Sequence, residues 1–87
     1  MPCRKKEAQF YFDEFENYSV KIPWDCFVYI LTKFLNFEMV MKRGSKRLFV
    51  RETIRFTADE PHGRGDKYVF KPDRKRAINE LKKLDLL

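Results

Sequence analysis

The sequence predicts an α+β fold in which a three-stranded antiparallel sheet carries helices on one face, with an extra helix at the N-terminus. Two observations concern the helices: apolar residues recur at helical spacing over residues 23–35 and again over about 73–84. Between these segments, residues 37–58 contain three short runs that are rich in apolar residues and in part alternate with polar ones. The links between the three runs are short, which favours an antiparallel meander.

Residues 1–21 are predicted to form an N-terminal extension to one domain that spans residues 22–87. The apolar side chains between Glu7 and Tyr18 recur at spacings of three and four, which indicates a helix that begins at residue 7. They are Ala8, Tyr11, Phe12, Phe15 and Tyr18. The triplet Phe10-Tyr11-Phe12 leaves open the alternative that a strand begins there.

The helix over residues 23–35 is predicted to carry much of the core. Proline suits the first helical position, so Pro23 is assigned to it, and Asp25 in the first turn favours the positive end of the helix dipole. The apolar stripe consists of Trp24, Phe27, Val28, Leu31, Phe34 and Leu35, and Asn36 is expected to end the helix. A core position is the favoured interpretation of Trp24, with base stacking as the alternative.

The three strands are predicted over residues 37–43, 46–51 and 53–58. In the third strand, Thr53, Arg55 and Thr57 are expected on the solvent face, because Ile54, Phe56 and Ala58 alternate with them. The register of the second strand stays open, since Leu48, Phe49 and Val50 are all apolar.

Breaker residues predict a loop over residues 59–66, which contains the only histidine of the chain, His62. Imidazole is the side chain that suits general acid–base chemistry near neutrality, although an isolated loop histidine is often merely solvated. The segment Tyr68-Val69-Phe70 is either a fourth short strand or a loop anchor.

Pro72 and Asp73 open the last helix. Its apolar stripe consists of Ala77, Ile78, Leu81 and Leu84. The basic residues expected to lie largely off that stripe are Arg74, Lys75, Lys82 and Lys83. The final residues, Leu86 and Leu87, either pack on the domain or form an exposed tail.

The charge of the 87-residue chain is basic and uneven. Its formal net charge is +6, and its basic residues concentrate over residues 42–55 and 71–76. Such an excess on a small domain indicates an anionic partner, with nucleic acid as the first candidate.

Cys3 and Cys26 are expected to be thiols in a reduced cytoplasm, since two cysteines make no disulfide framework and show no metal-ligand spacing. No apolar run is long enough to cross a bilayer and the N-terminus lacks a signal-peptide core, so no membrane association is expected.

The segment Lys42–Arg47 joins the first two predicted strands and holds four basic residues around Gly44-Ser45. Glycine accepts a positive φ, so a tight reversal is expected at Gly44. Backbone N–H groups beside Lys and Arg side chains form a phosphate-binding surface. The alternative is a solvated hairpin whose charges only keep the sheet soluble.

The order of these motifs resembles the HicA family, small toxins of bacterial toxin–antitoxin pairs whose α-β-β-β-α fold is similar to a double-stranded RNA-binding domain. Pro23-Trp24-Asp25 with its apolar helix resembles the opening helix of that family, and Gly44-Ser45-Lys46-Arg47-Leu48-Phe49 resembles its Gly-Ser-His-Arg-Ile-Phe hairpin. Glu60-Pro61-His62-Gly63 and Lys71-Pro72 are similar to segments of one branch. The resemblance covers about residues 22–84, with a segment between His62 and Lys71 about three residues longer than in relatives. The resemblance implies an mRNA endoribonuclease that a HicB-like antitoxin neutralises.

One departure concerns the hairpin, where Lys46 stands in place of the family's catalytic histidine. A lysine ammonium is protonated at neutral pH, so it binds phosphate or stabilises developing charge but does not act as a general base. His62 and Lys46 are therefore the candidate catalytic residues of a metal-independent cleavage that needs no cofactor. The expected RNA-binding residues are Lys42, Arg43, Gly44, Ser45, Lys46, Arg47, Arg55, Arg64, Lys71, Arg74 and Lys75. The alternatives are an RNA-binding module without nuclease activity and a protein whose basic face docks an acidic antitoxin.

Overall fold

The computed structural model describes residues 3–63, 65 and 67–87. The elements follow in the order α1 (Lys5–Asp13), α2 (Trp24–Tyr29) with a π-helical continuation (Ile30–Phe34), β1 (Glu38–Met41), β2 (Lys46–Arg51), β3 (Ile54–Asp59) and α3 (Lys71–Lys83). The strands form one antiparallel sheet in the order β1-β2-β3. The predicted α+β fold with an N-terminal helix is confirmed.

The helix after Pro23 differs in two details from the prediction. Pro23 precedes the helix as its N-cap, with φ −60° and ψ 143°, rather than occupying the first helical position. The continuous α-helix predicted to residue 35 instead widens into the π-helical segment, where the Leu35 N–H donates to the carbonyl of Ile30 at 3.1 Å. The Thr32 hydroxyl donates to the Val28 carbonyl at 2.7 Å, so it competes with backbone N–H groups for that acceptor. Asn36 ends the segment with φ 60°, as expected of a residue that tolerates the left-handed region.

The register of β2 follows from its pairing with β3. Phe49 lies opposite Phe56, and Arg47 lies opposite Ala58, so the odd-numbered residues of β2 share the face of Phe56 and Ala58. That face is the buried one, because Phe49, Phe56 and Ala58 are almost inaccessible to solvent. On the opposite face, Arg55 is exposed and Thr57 half-buried, as predicted, whereas Thr53 lies in the turn before β3.

The core is built largely from aromatic rings between this sheet face and the helices. Phe27 of α2 stacks on Phe15 with ring centroids 6.0 Å apart and meets Phe49 edge-on at 5.8 Å. Trp24 lies 5.5 Å from Phe27 and 6.3 Å from Phe49 and is buried. Trp24 is therefore a core residue, and base stacking by it is excluded by its burial.

The N-terminal helix α1 differs from the prediction at both ends, because it begins at Lys5, before residue 7, and ends at Asp13, well before Tyr18. Residues 14–16 form a turn, and this turn directs Phe15 into the core rather than along the helix. The alternative of a strand beginning at Phe10 is wrong. None of the helices among the described residues is long and apolar enough to span a bilayer.

Cys3 and Cys26 form a disulfide, with Cα atoms 4.9 Å apart. The prediction that both are thiols is therefore wrong for this structure. The bridge joins the start of α1 to the buried face of α2, so it ties the N-terminal helix to the domain. Twenty-three positions separate the two cysteines, and neither sequence position nor spacing indicated that α1 would fold back against α2.

The chain between β3 and α3 returns along the start of α2. Tyr68 makes an isolated antiparallel bridge with Pro23, and the Val69 N–H donates to the carbonyl of Ile22 at 2.9 Å. This segment is thus a loop anchor rather than a fourth strand of the sheet. The end of the chain packs on the domain, since the Leu86 N–H donates to the Leu81 carbonyl and both final leucines contact the core.

Candidate nucleic-acid interface

The β1–β2 hairpin reverses direction at Gly44, whose φ of 63° confirms the expected positive value. The turn is closed by the Lys42 N–H, which donates to the Lys46 carbonyl at 3.0 Å, and by the Lys46 N–H, which donates to the Arg43 carbonyl at 3.3 Å. Lys42, Arg43 and Lys46 are exposed around it, and Ser45 is half-buried. Three cations therefore project from one short, hydrogen-bonded loop.

Lys46 begins β2 on the outer face of the sheet, directly opposite Asp59 at the end of β3. Paired residues of antiparallel strands have Cα atoms about 4.5–5.5 Å apart, so the hairpin lies immediately beside the end of β3. Arg55 shares the outer face but lies near the other end of the strand, four residues before Asp59. The structure consequently separates Arg55 from the hairpin cations by roughly 13 Å along the strand.

Arg47 points to the inner face, and its guanidinium contacts Glu60 and the backbone of the hairpin. Its guanidinium forms an ion pair with Glu60 at 3.2 Å and donates to the carbonyls of Gly44 and Lys46 at 2.8 and 3.1 Å. Its side chain is only 11% exposed. Arg47 thus holds the hairpin to the chain after β3, and the prediction that it is a free phosphate ligand does not fit this geometry.

Glu60 fixes the start of the loop that carries His62. Besides the ion pair with Arg47, its backbone N–H donates to the Ser45 carbonyl at 2.9 Å. Pro61 after it is buried, and His62 is exposed. Since two residues span at most about 7 Å, His62 lies within that reach of the Glu60 backbone and so beside the hairpin. The two candidate catalytic residues, Lys46 and His62, are brought to the same end of the sheet.

The first turn of α3 meets the same end of the sheet through Asp73. One carboxylate oxygen of Asp73 accepts a hydrogen bond from the Asp59 N–H at 3.0 Å. The other accepts from Arg76 at 2.7 Å, and Arg76 also donates to the Thr57 carbonyl at 3.0 Å. These contacts place the first turn of α3, which carries the exposed residues Lys71 and Lys75, beside the end of β3. Here "basic end" denotes Lys42, Arg43, Lys46, Lys71 and Lys75.

Arg74 belongs to the core rather than to this surface. It is 4% exposed, and its guanidinium donates to four backbone carbonyls between α1 and α2 at 2.7–3.0 Å. Those acceptors are Glu14, Phe15, Asn17 and Val20. Burial lowers the pKa of Arg74 below its ordinary value, and the electrostatic interaction with Tyr18 offsets only part of that lowering. An arginine stays protonated in proteins, so these carbonyls satisfy a buried cation. The predictions that Arg74 binds RNA and lies off the apolar stripe are both corrected.

The sequence does not indicate that Asp73, Arg76 and Glu60 position the site, because each acts through a contact with a distant segment. Asp73 in a first helical turn is a recognisable signal for an N-terminal contact, but its partner Asp59 is fixed only by the tertiary fold. The predicted RNA ligand Arg64 lies outside the described residues. Among the described residues, no group of three or more His, Cys, Asp or Glu side chains is placed to hold a metal ion.

The basic end and His62 together supply five exposed cations and one exposed imidazole, carried by a hairpin, the loop after β3 and the start of α3. Such a surface can bind phosphates and position a proton-transfer group beside them. Comparison of the chain with protein-family models, with curated proteins and with solved structures gave no match. Its function is therefore inferred from its own residues.

Proposed function

We propose that this chain binds RNA through the basic end and acts as the HicA-like toxin of a toxin–antitoxin pair. The observation that carries the proposal is the hydrogen bond from the Asp59 N–H to Asp73, at 3.0 Å. It holds the start of α3, which carries Lys71 and Lys75, at the strand end that is paired with Lys46 of the hairpin. RNA backbones are recognised by such surfaces through phosphate and 2′-hydroxyl contacts.

Cleavage of the bound RNA is assigned to His62 with Lys46 beside it. In this mechanism neutral His62 takes the proton of a 2′-hydroxyl, whose oxygen attacks the adjacent phosphorus. The 5′-oxygen leaves with a proton from solvent, and a 2′,3′-cyclic phosphate remains. Lys46 offsets the negative charge that develops on the phosphoryl oxygens. The fixed position of Glu60 at the hairpin supports this assignment, because it keeps His62 near the phosphates that Lys46 would contact.

The toxin hypothesis implies two partners, an mRNA and a HicB-like antitoxin protein that covers the basic end. It also implies a cytoplasmic location, where Cys3 and Cys26 would exist as a dithiol because cytoplasmic thiols are kept reduced. The exposed cations of the basic end suit an acidic antitoxin surface as well as RNA.

A second candidate function is RNA binding without cleavage. The observation that favours it is Lys46 itself, which occupies the hairpin position where the resembling family has its histidine. Both functions use the same surface, so they differ only in whether the RNA is cut.

The test is to incubate purified protein with labelled RNA and to follow binding and cleavage separately. His62→Ala should lower cleavage by roughly 100-fold or more, the usual scale for general acid–base catalysis, with little change in binding. Lys46→Ala should weaken both. Lys33→Ala is the matched control, since Lys33 is exposed in the π-helical segment, which leads to the end of β1 that lies away from the hairpin. Binding without any cleavage by the wild type would favour the second candidate, and no binding would refute both.

A further inference from the structure

A groove lies beside the basic end, between the α1–α2 connection and the segment that leads into α3. Its volume is about 360 Å³, which lies at the small end of the usual range for ligand pockets. Three aromatic rings line it, those of Tyr18, Tyr68 and Phe70, together with the stems of Lys21 and Lys71. Phe70 is 49% exposed and Tyr18 is 38% exposed, so these two rings present surface to a ligand.

Cations surround the rings at short distances. The ammonium of Lys71 lies 5.3 Å from the centre of the Tyr18 ring, and that of Lys21 lies 5.8 Å from the centre of the Tyr68 ring. Arg74 lies 4.9 Å from the Tyr18 ring but is already committed to backbone carbonyls. The two lysines are exposed and remain available to an anion at either side of the groove.

The backbone around the groove is fixed before any ligand arrives. The Trp24 N–H donates to the Lys67 carbonyl and the Val69 N–H to the Ile22 carbonyl, each at 2.9 Å. The buried guanidinium of Arg74 holds the chain on the other side, at Asn17 and Val20. A preformed platform reduces the entropy lost when a ligand binds.

We propose that this groove binds one unpaired nucleotide of the RNA that the basic end holds, with its base on the rings of Phe70 and Tyr18 and its phosphate at Lys21 and Lys71. Proteins that bind single-stranded nucleic acid combine basic side chains with exposed aromatic rings, because every base has a face that can stack on a ring. Lys71 belongs to both the groove and the basic end, so a strand that leaves a duplex on the basic end passes directly into the groove. The inference rests on the proposed RNA binding and adds a preference for a junction between paired and unpaired RNA.

The test compares a blunt RNA duplex of about 16 base pairs, the length that a double-stranded RNA-binding domain spans, with the same duplex carrying a short single-stranded extension. Each strand end is extended in turn, and one extension base is replaced by 2-aminopurine, whose fluorescence falls on stacking. The wild type should bind one extended RNA about tenfold more tightly than the blunt duplex, as expected for one stacked base, and should quench the probe.

Phe70→Leu and Tyr18→Leu should each remove most of that gain and leave affinity for the blunt duplex unchanged. Lys21→Ala should also lower affinity only for the extended RNA. Phe10→Leu is the matched control, because Phe10 is 52% exposed on α1 and does not line the groove. The groove assignment would be overturned, with RNA binding itself retained, by either of two results. One is equal affinity of the wild type for blunt and extended RNA, and the other is an unchanged preference for extended RNA in Phe70→Leu. Failure to bind either RNA would refute the proposed function and the groove together.

Discussion

The carboxylate of Asp73, in the first turn of α3, accepts a hydrogen bond from the backbone N–H of Asp59, the last residue of β3, at 3.0 Å. Asp59 is itself paired with Lys46 across the sheet. A single side chain therefore connects the start of the last helix to the strand end beside the basic hairpin. Because Asp73 is buried, its loss would leave the Asp59 N–H without this partner and would loosen the helix from the sheet.

Asp73→Ala is expected to destabilise the protein by about 2 kcal/mol, the usual cost of leaving a buried donor unpaired. The change should also weaken RNA binding, although it removes a negative charge, because Lys71 and Lys75 lose their fixed position. Urea denaturation and RNA titration check the two effects. Asp13→Ala, on an exposed part of α1, serves as a control and should change neither. Tighter RNA binding by Asp73→Ala would show that charge alone governs this surface.

The adjacent residues Arg74 and Lys75 should respond in opposite ways. Arg74→Met should lower the free energy of unfolding by at least about 3 kcal/mol, because it leaves four backbone carbonyls without their charged donor. Lys75→Ala should change stability by no more than about 0.5 kcal/mol, as is usual for an exposed side chain, but should weaken RNA binding. Denaturation and binding measured on the same two variants separate the roles. If Arg74→Met were as stable as the wild type, the hydrogen bonds of Arg74 to the α1–α2 connection would not contribute to stability.

Reduction of the Cys3–Cys26 disulfide should lower stability by about 3 kcal/mol, from the chain entropy of a loop of this length. Thermal unfolding with and without dithiothreitol measures the difference. A variant with both cysteines replaced by serine should match the reduced wild type and should be insensitive to the reductant. RNA binding should persist in the reduced protein, since neither cysteine is among the residues of the basic end. Equal unfolding temperatures in both conditions would show that the bridge contributes nothing.

Glu60→Ala should behave as the loss of a positioning residue. It removes the ion pair with Arg47 and leaves the backbone hydrogen bond to Ser45 to hold the start of the His62 loop. The cleavage rate at saturating RNA should therefore fall about tenfold or more while RNA affinity changes little. Single-turnover kinetics separates the two quantities. Glu16→Ala removes the exposed ion pair with Lys82 and is the matched control, for which no change is expected. If Glu60→Ala lowered affinity and left the rate at saturation unchanged, the positioning role would be contradicted.

The fold was largely predictable because its periodicities are strong, but roles within the basic clusters were not. Arg74 shares one helix face with Ala77, Ile78 and Leu81, and this spacing could have revealed that it points inward. Likewise, Arg47 lies two residues before Phe49 and therefore faces the core. That face could not be chosen from the sequence, since Leu48, Phe49 and Val50 are all apolar.

Contacts between distant segments account for the other differences. The pairing of Cys3 with Cys26 depends on how α1 packs on α2, and the position of His62 depends on the contact of Glu60 with Ser45. Neither contact can be predicted from the residues that neighbour it in the sequence. The charge pattern predicts Lys42, Arg43, Lys46, Lys71 and Lys75 as candidate cations, and the structure adds that the hairpin and the start of α3 meet at the end of β3.

The most direct test of the basic end is the salt dependence of RNA binding. For the wild type, the logarithm of the association constant should fall steeply and linearly with the logarithm of salt concentration, because bound counterions are released from the RNA. Lys46→Ala and Lys75→Ala should each reduce the slope by about 1, as expected for the loss of one phosphate contact, and Lys33→Ala should leave it unchanged. Slopes that are the same in Lys46→Ala, Lys75→Ala and the wild type would contradict the account.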